Sequence, residues 1–149
     1  MPLTHVNGVG EAHMVDIGPK KIVHREASAS GVVLMQKETI DLVKNNLLKK
    51  GDVLSTARIA AISGAKKTSD LIPLCHNIPI NKIDVSFEIN EDRIIIKSKA
   101  SCDAKTGIEM EALTAVSIAA LTIYDMCKAV DKTMVLTNIK LDEKIKMEN

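Results

Sequence analysis

The sequence predicts a single α+β domain, and three observations carry that expectation. Ile83, Val85, Phe87 and Ile89 alternate strictly with polar residues, the period of a strand with one buried face. Asn90-Glu91-Asp92 then makes a turn, and Arg93 to Cys102 returns with Ile94 and Ile96 on one side, completing an antiparallel hairpin. A long segment from about Ile108 to Val130 is apolar almost all round and reads as a helix buried on most sides. The 149 residues suit one domain, and with 46% hydrophobic residues but one Phe, one Tyr and no Trp the core must be aliphatic.

The remaining elements follow in chain order. Residues 1–19 have no sustained period and read as an irregular arm. Lys21 to Met35 carries the β-branched pairs Ile22-Val23 and Val32-Val33 and reads as strand, interrupted around Ser28–Gly31. Lys37 to Lys49 is helical by the spacing of Ile40, Val43 and Leu47, with Gly51 beyond its last turn. A second helix from Val53 to Lys67 is rich in small residues, Ala57, Ala60, Ala61, Gly64 and Ala65, which invite close approach of another backbone and self-association. Asp70 to Pro79 is a loop, Thr133 to Leu141 a last strand, and residues 142–149 a charged tail. With the second helix as an addition, the order is β-α-β-β-α-β, a ferredoxin-like domain over residues 1–149 with an antiparallel sheet covered by helices on one face.

Composition excludes several function classes. Twenty Lys and Arg against nineteen Asp and Glu give a net charge of +1, not the footprint of a DNA-binding domain. One Phe and one Tyr leave little to stack bases, so no nucleic-acid partner is expected. Cys75, Cys102 and Cys127 form neither a disulfide framework nor a zinc spacing and fit a reducing, cytoplasmic setting. The N-terminal residues do not read as a signal peptide. The longest uncharged apolar stretch, Ala112 to Tyr124, falls short of the ~18 residues of a membrane span, so no membrane partner is expected.

Candidate chemistry concentrates on the apolar helix. Asp125 and Lys128 stand three apart and share a face near its end. A buried ion pair adds little net stability, so a desolvated lysine beside a carboxylate suggests acid–base work as well as a helix-end ion pair. Glu109-Met110-Glu111 opens the same helix; acidic residues suit a first turn, but residues two apart point differently, so one glutamate is expected to face a pocket. Leu74-Cys75-His76 lies on a loop stiffened by Pro73 and Pro79, a means of holding His76 in one orientation. Cys75 beside His76 is a weak zinc signal, and neither metal nor cofactor is expected. Arg25, Lys50, Lys66 and Lys67 are solvated surface individually but could hold a polyphosphate if they converge, although GxxxxGK[ST] and GxGxxG are both missing. Ser63-Gly64-Ala65-Lys66 and Lys105-Thr106-Gly107 mimic elements of penicillin-recognising enzymes, without the SDN element.

With these segments laid out, the sequence resembles the cyclic pyranopterin monophosphate synthases, the protein C family of molybdenum cofactor biosynthesis. The matching stretches include Leu3-Thr4-His5, Gly10 to Asp16, Lys50-Gly51-Asp52-Val53, Thr56 to Ala60, Asp70 to His76, Lys105-Thr106-Gly107, Glu109 to Thr114, and Leu121 to Val130. The resemblance implies that a cyclic dihydroguanosine triphosphate rearranges to a pterin carrying a cyclic phosphate, with loss of diphosphate. It implies a homo-hexamer, a trimer of dimers, with active sites at subunit interfaces. It implies catalytic roles for Asp125 and Lys128, substrate contacts from Leu74, Cys75, His76, Met110 and Glu111, and service to the site from basic residues such as Lys50. One departure is the C-terminal segment, which lacks the family's Gly- and Lys-rich tail; Lys144 falls at the tail's lysine position. The rival reading is a non-catalytic ferredoxin-like module that binds a small regulatory ligand, which would not need an Asp–Lys pair on its buried helix.

Overall fold

The computed structural model describes residues 6–148, so the Leu3-Thr4-His5 stretch lies outside the described residues. Four strands and four helices follow in the order β1 (Val23–Leu34), α1 (Lys37–Lys44), α2 (Val53–Lys66), α3 (Thr68–Leu71), β2 (Lys82–Ile89), β3 (Arg93–Ala104), α4 (Glu109–Cys127) and β4 (Val135–Met147). The strands form one sheet in the order β2-β3-β1-β4, with every neighbouring pair antiparallel. That is the expected ferredoxin-like arrangement, except that α2, expected as the addition, is the helix that packs beside α4 on one face, and the short α1 is the addition. Ile83, Val85, Phe87 and Ile89 turn toward the helices while Lys82, Asp84, Ser86 and Glu88 face solvent. The alternation in the sequence therefore reports the buried face directly.

Three differences from expectation have physical causes. β1 is one continuous strand in register with β3, and the expected interruption at Ser28–Gly31 survives only as register shifts against β4; Gly31 makes room for α4, since a Cβ there would sit 2.6 Å from Val116 Cγ1. α1 stops at Lys44, where the chain turns through Asn46 at φ 55°, and Leu47 points outward. Residues 142–147 are not a loose tail but the second half of β4, paired with β1 from Ser28↔Glu143 to His24↔Met147.

The small-residue stripe of α2 also differs from its expected use. Ala57, Ala61, Gly64 and Ala65 are buried, and a Cβ on Gly64 would lie 2.7 Å from Ile118 Cγ1 of α4. The close backbone approach is therefore made within the chain, and the stripe is not free to join subunits. Asp52 caps α2 by accepting from Ser55 N at 3.1 Å. α4 passes the length and hydropathy test of a membrane span, yet its stripe Ala112, Ala115, Val116, Ala119, Ala120 and Ile123 is packed inside the domain. It is a core helix.

Candidate functional site

α4 carries a candidate site at each of its two ends. At its N-terminal end a cleft of about 300 Å³ is lined by Leu74, Cys75 and His76 on one side and by Thr106, Gly107, Glu109 and Met110 on the other. Glu111 lies beneath it, 2% exposed, with its Oε2 accepting from the Cys75 thiol at 3.9 Å. Burial first, then the nearby Glu109 charge, push the Glu111 carboxyl up to about 7. The Cys75 thiol is pushed up to about 11 by burial and by Glu111, so it stays protonated and serves as donor. Glu111 Oε1 and Glu109 Oε2 are buried and accept no hydrogen bond from the described residues. Of the two carboxylates, Glu109 lines the cleft and Glu111 reaches it through the Cys75 thiol.

The two glutamates divide as their spacing requires. Glu109 stands at the rim, paired with Lys144 Nζ at 3.5 Å, and Glu111 turns inward. Because β4 extends through Met147, Lys144 is held in a sheet, with its Cε 3.1 Å from a Cβ built on Gly107. A Cβ on Gly107 would push aside the Glu109 carboxylate and the Lys144 side chain.

At the C-terminal end, Asp125 accepts from Lys50 Nζ at 2.8 Å through Oδ2, and Lys128 Nζ lies 3.3 Å from Oδ1. Lys50, then Lys128, holds the Asp125 carboxyl below its ordinary value. The expectation of a desolvated pair fails within one chain, because Asp125 and Lys128 are each 54% exposed. The reason is rotational: Leu121, Tyr124, Asp125 and Lys128 follow i, i+3, i+4, i+7 and form the face of α4 turned away from the sheet. Lys50, 75 residues away, was read from sequence only as a basic residue serving the site; its pairing with Asp125 has no spacing signature.

The other basic candidates separate. Arg25 is buried on β1 and donates to the carbonyls of Ala104 and Lys105 at 3.2 Å each. It lines a cavity of about 390 Å³ with Lys20, Lys21, Lys146 and Glu148, which shares no lining residue with the cleft. Lys66 lines a groove of about 510 Å³ between α2 and β2, sharing Ile78 with the cleft. Lys67 sits at the α2–α3 junction and lines neither cavity. Among the described residues no three His, Cys, Asp or Glu side chains gather as a metal site.

The decisive comparison is with a model of the MoaC family, which matches residues 14–146 and so takes in both ends of α4. The chain belongs to the MoaC family. Similar proteins include the cyclic pyranopterin monophosphate synthase of Peptoclostridium acidaminophilum, 55% identical over 144 residues, covering 97% of this chain and 92% of that protein. That of Heliobacterium modesticaldum is 52% identical, covering 96% and 91%. Cyclic pyranopterin monophosphate synthase 3 of Mycobacterium bovis is 51% identical, covering 95% and 81%. In this MoaC-family chain the segments that carried the resemblance, Asp70–His76, Lys105–Thr114 and Leu121–Val130, are those that wall the cleft and hold the Asp125 cluster.

Proposed function

We propose that this protein is a cyclic pyranopterin monophosphate synthase, a lyase of molybdenum cofactor biosynthesis acting in the cytoplasm. It converts (8S)-3',8-cyclo-7,8-dihydroguanosine 5'-triphosphate to cyclic pyranopterin monophosphate and diphosphate. The observation that carries the reading is the Lys50–Asp125–Lys128 cluster within a chain matched to the family over residues 14–146. Rebuilding a purine-derived ring as a pterin moves protons on and off nitrogen, and a carboxylate flanked by two ammonium groups suits that work. Closing the cyclic phosphate requires a sugar hydroxyl to lose its proton, attack the nearest phosphorus and displace diphosphate. Cations stabilise the departing charge. The relatives are named as enzymes along nearly their whole length, which leaves the regulatory-module reading without an observation in its favour.

Geometry further supports a site shared between subunits. Glu109 and Asp125 are sixteen residues apart on one helix, about 24 Å at 1.5 Å per residue, longer than a nucleoside triphosphate. The acidic cleft of one subunit and the Asp125 cluster of another would together form one site. Leu121 and Tyr124, exposed beside Asp125, would then be covered, and the Asp125–Lys128 pair would lose the water it has in the single chain. A homo-hexamer built as a trimer of dimers meets this requirement. The cleft takes the ring, with Leu74, Cys75, His76, Met110 and Glu111 in contact, and Glu109 at the rim. Lys50 supplies charge toward the triphosphate, and Arg25, Lys66 and Lys67, which lie apart in the single chain, can join it only through neighbouring subunits.

The test is incubation with the cyclic triphosphate and detection of both pterin and diphosphate, with light scattering of the same sample. Turnover by an oligomer is expected. No diphosphate would refute the function, and full activity in a concentration-independent monomer would refute the shared site.

A further inference from the structure

His76 is oriented by the N-terminal arm. Its Nε2 lies 2.7 Å from the main-chain carbonyl oxygen of Val15. A carbonyl oxygen accepts and never donates, so Nε2 must carry the hydrogen. Neutral imidazole has a single N–H, which leaves the lone pair on Nδ1. Nδ1 makes no hydrogen bond to the described residues, yet it is not among the buried polar atoms lacking partners, while the ring lines the acidic cleft. One nitrogen of His76 is therefore anchored, and the other is open to a ligand.

The arm itself is tied down on the opposite wall. Lys105 Nζ, from the β3–α4 loop that carries Thr106 and Gly107 into the cleft, donates to the Gly18 carbonyl at 3.2 Å. Between these anchors Asp16 Oδ1 accepts from Gly18 N at 2.8 Å, and just beyond them Lys20 N donates back to the Ile17 carbonyl at 3.0 Å. The segment from Val15 to Gly18 is thus a strap joined to both walls: to the His76 loop through Val15 and to the glycine loop through Gly18.

We infer that Nδ1 is the working nitrogen of His76, and that Val15 is a positioning residue whose carbonyl selects that tautomer. The inference rests on the proposed use of the cleft for the ring and sugar of the substrate, and it names the atom involved. Nδ1 accepts a hydrogen bond, or a proton, from a ring N–H or a sugar hydroxyl. Taking the proton costs the anchor nothing, because imidazolium still donates from Nε2 to Val15. The ring can accept and return a proton at one nitrogen without leaving its place, so little orientational freedom is lost during the reaction.

The test pairs a spectroscopic readout with two substitutions. In histidine labelled with ¹⁵N, read without substrate, His76 is expected to show a protonated Nε2 and an unprotonated Nδ1, its signals identified by their loss in a His76 variant. A product-like pterin should then shift Nδ1 and leave Nε2 in place. His76→Gln keeps an N–H donor at the Nε2 position and removes the Nδ1 acceptor. It should leave KM and arm protection from hydrogen exchange near wild type while lowering kcat by about 10²-fold or more. His76→Asn keeps an acceptor at the Nδ1 position and loses the anchor, so the arm should exchange faster and KM should rise. An Nδ1–H tautomer in the free protein, or near-normal kcat in His76→Gln, would overturn the inference. Because the tautomer is read without substrate, it stands apart from the proposed function, which fails instead if the wild type makes no diphosphate.

Discussion

Glu111→Gln isolates the cost of placing a carboxyl beneath the cleft. The side chain is 2% exposed, its one side-chain donor among the described residues is the Cys75 thiol, and burial raises it from 4.5 to about 7. A group whose folded-state pKa is raised contributes its stability in full below the unfolded value, here about 4.5. That contribution is lost as pH climbs through 7, because the unfolded chain releases the proton first. The difference of about 2.5 pKa units corresponds to about 3 kcal/mol across that window. Glutamine does not titrate, so whatever its amide gains or loses by packing is the same at every pH. The expected result is that Glu111→Gln gains about 3 kcal/mol relative to wild type between pH 4.5 and pH 8. For a chain of this size that amounts to about 6–12 °C in Tm, measured without substrate at a fixed protein concentration. Parallel stability–pH curves for the two proteins would refute the reasoning.

The same logic with opposite sign applies to Asp131, buried after α4. Burial pushes its carboxyl up, but bonds from the Thr133 hydroxyl, the backbone of Gln36 and Thr133, and the Thr39 hydroxyl outweigh it and hold it at about 2. Its stability is present above about 4 and lost toward pH 2, so Asp131→Asn should cost about 2 kcal/mol at pH 7 and blunt acid unfolding, read by urea titration. Gly64→Ala should cost about 1–3 kcal/mol, since its methyl group meets Ile118 at 2.7 Å; an unchanged midpoint would contradict the α2–α4 packing. Lys128→Ala should lower kcat by about 10²–10⁴-fold while the fold survives, as checked by circular dichroism. Lys50→Ala should raise KM, with the defect growing on added salt, and should let the Asp125 carboxyl rise toward its ordinary value.

Much of the fold is legible in the sequence because period and burial coincide. Ile83 to Ile89 alternates because one face of β2 meets helices and the other meets water. The missed half of β4 has no such contrast: as an edge strand exposed over most of its length, Asp142 to Lys146 carries charges that read as a tail. The interruption read in β1 is a milder irregularity, register shifts against β4 at Ser28/Ala29 and Ser30/Val32, with Gly31 kept small by the approach of Val116. At the site, the sequence shows Asp125 with Lys128 and the clamped His76, since each is a local pattern. It does not show that Lys50 closes on Asp125, or that Glu111 is buried while Glu109 pairs with Lys144, because those partners meet only through tertiary packing. The desolvated lysine was expected from the greasiness of α4 as a whole. Amphipathic rotation in its last turns sets Lys128 in solvent in the single chain.

Subunit mixing tests the shared site most directly. His76→Ala removes a cleft residue and Lys128→Ala removes a member of the cluster at the far end of α4, and each alone should be nearly inactive. Co-assembled in equal amounts and assayed for diphosphate release, the pair should regain about one quarter of wild-type activity, since a site drawing each half from a different subunit is intact at that frequency. A mixture no more active than its components, although light scattering and tagged pull-down show mixed oligomers, would mean that no site draws the two ends of α4 from different subunits.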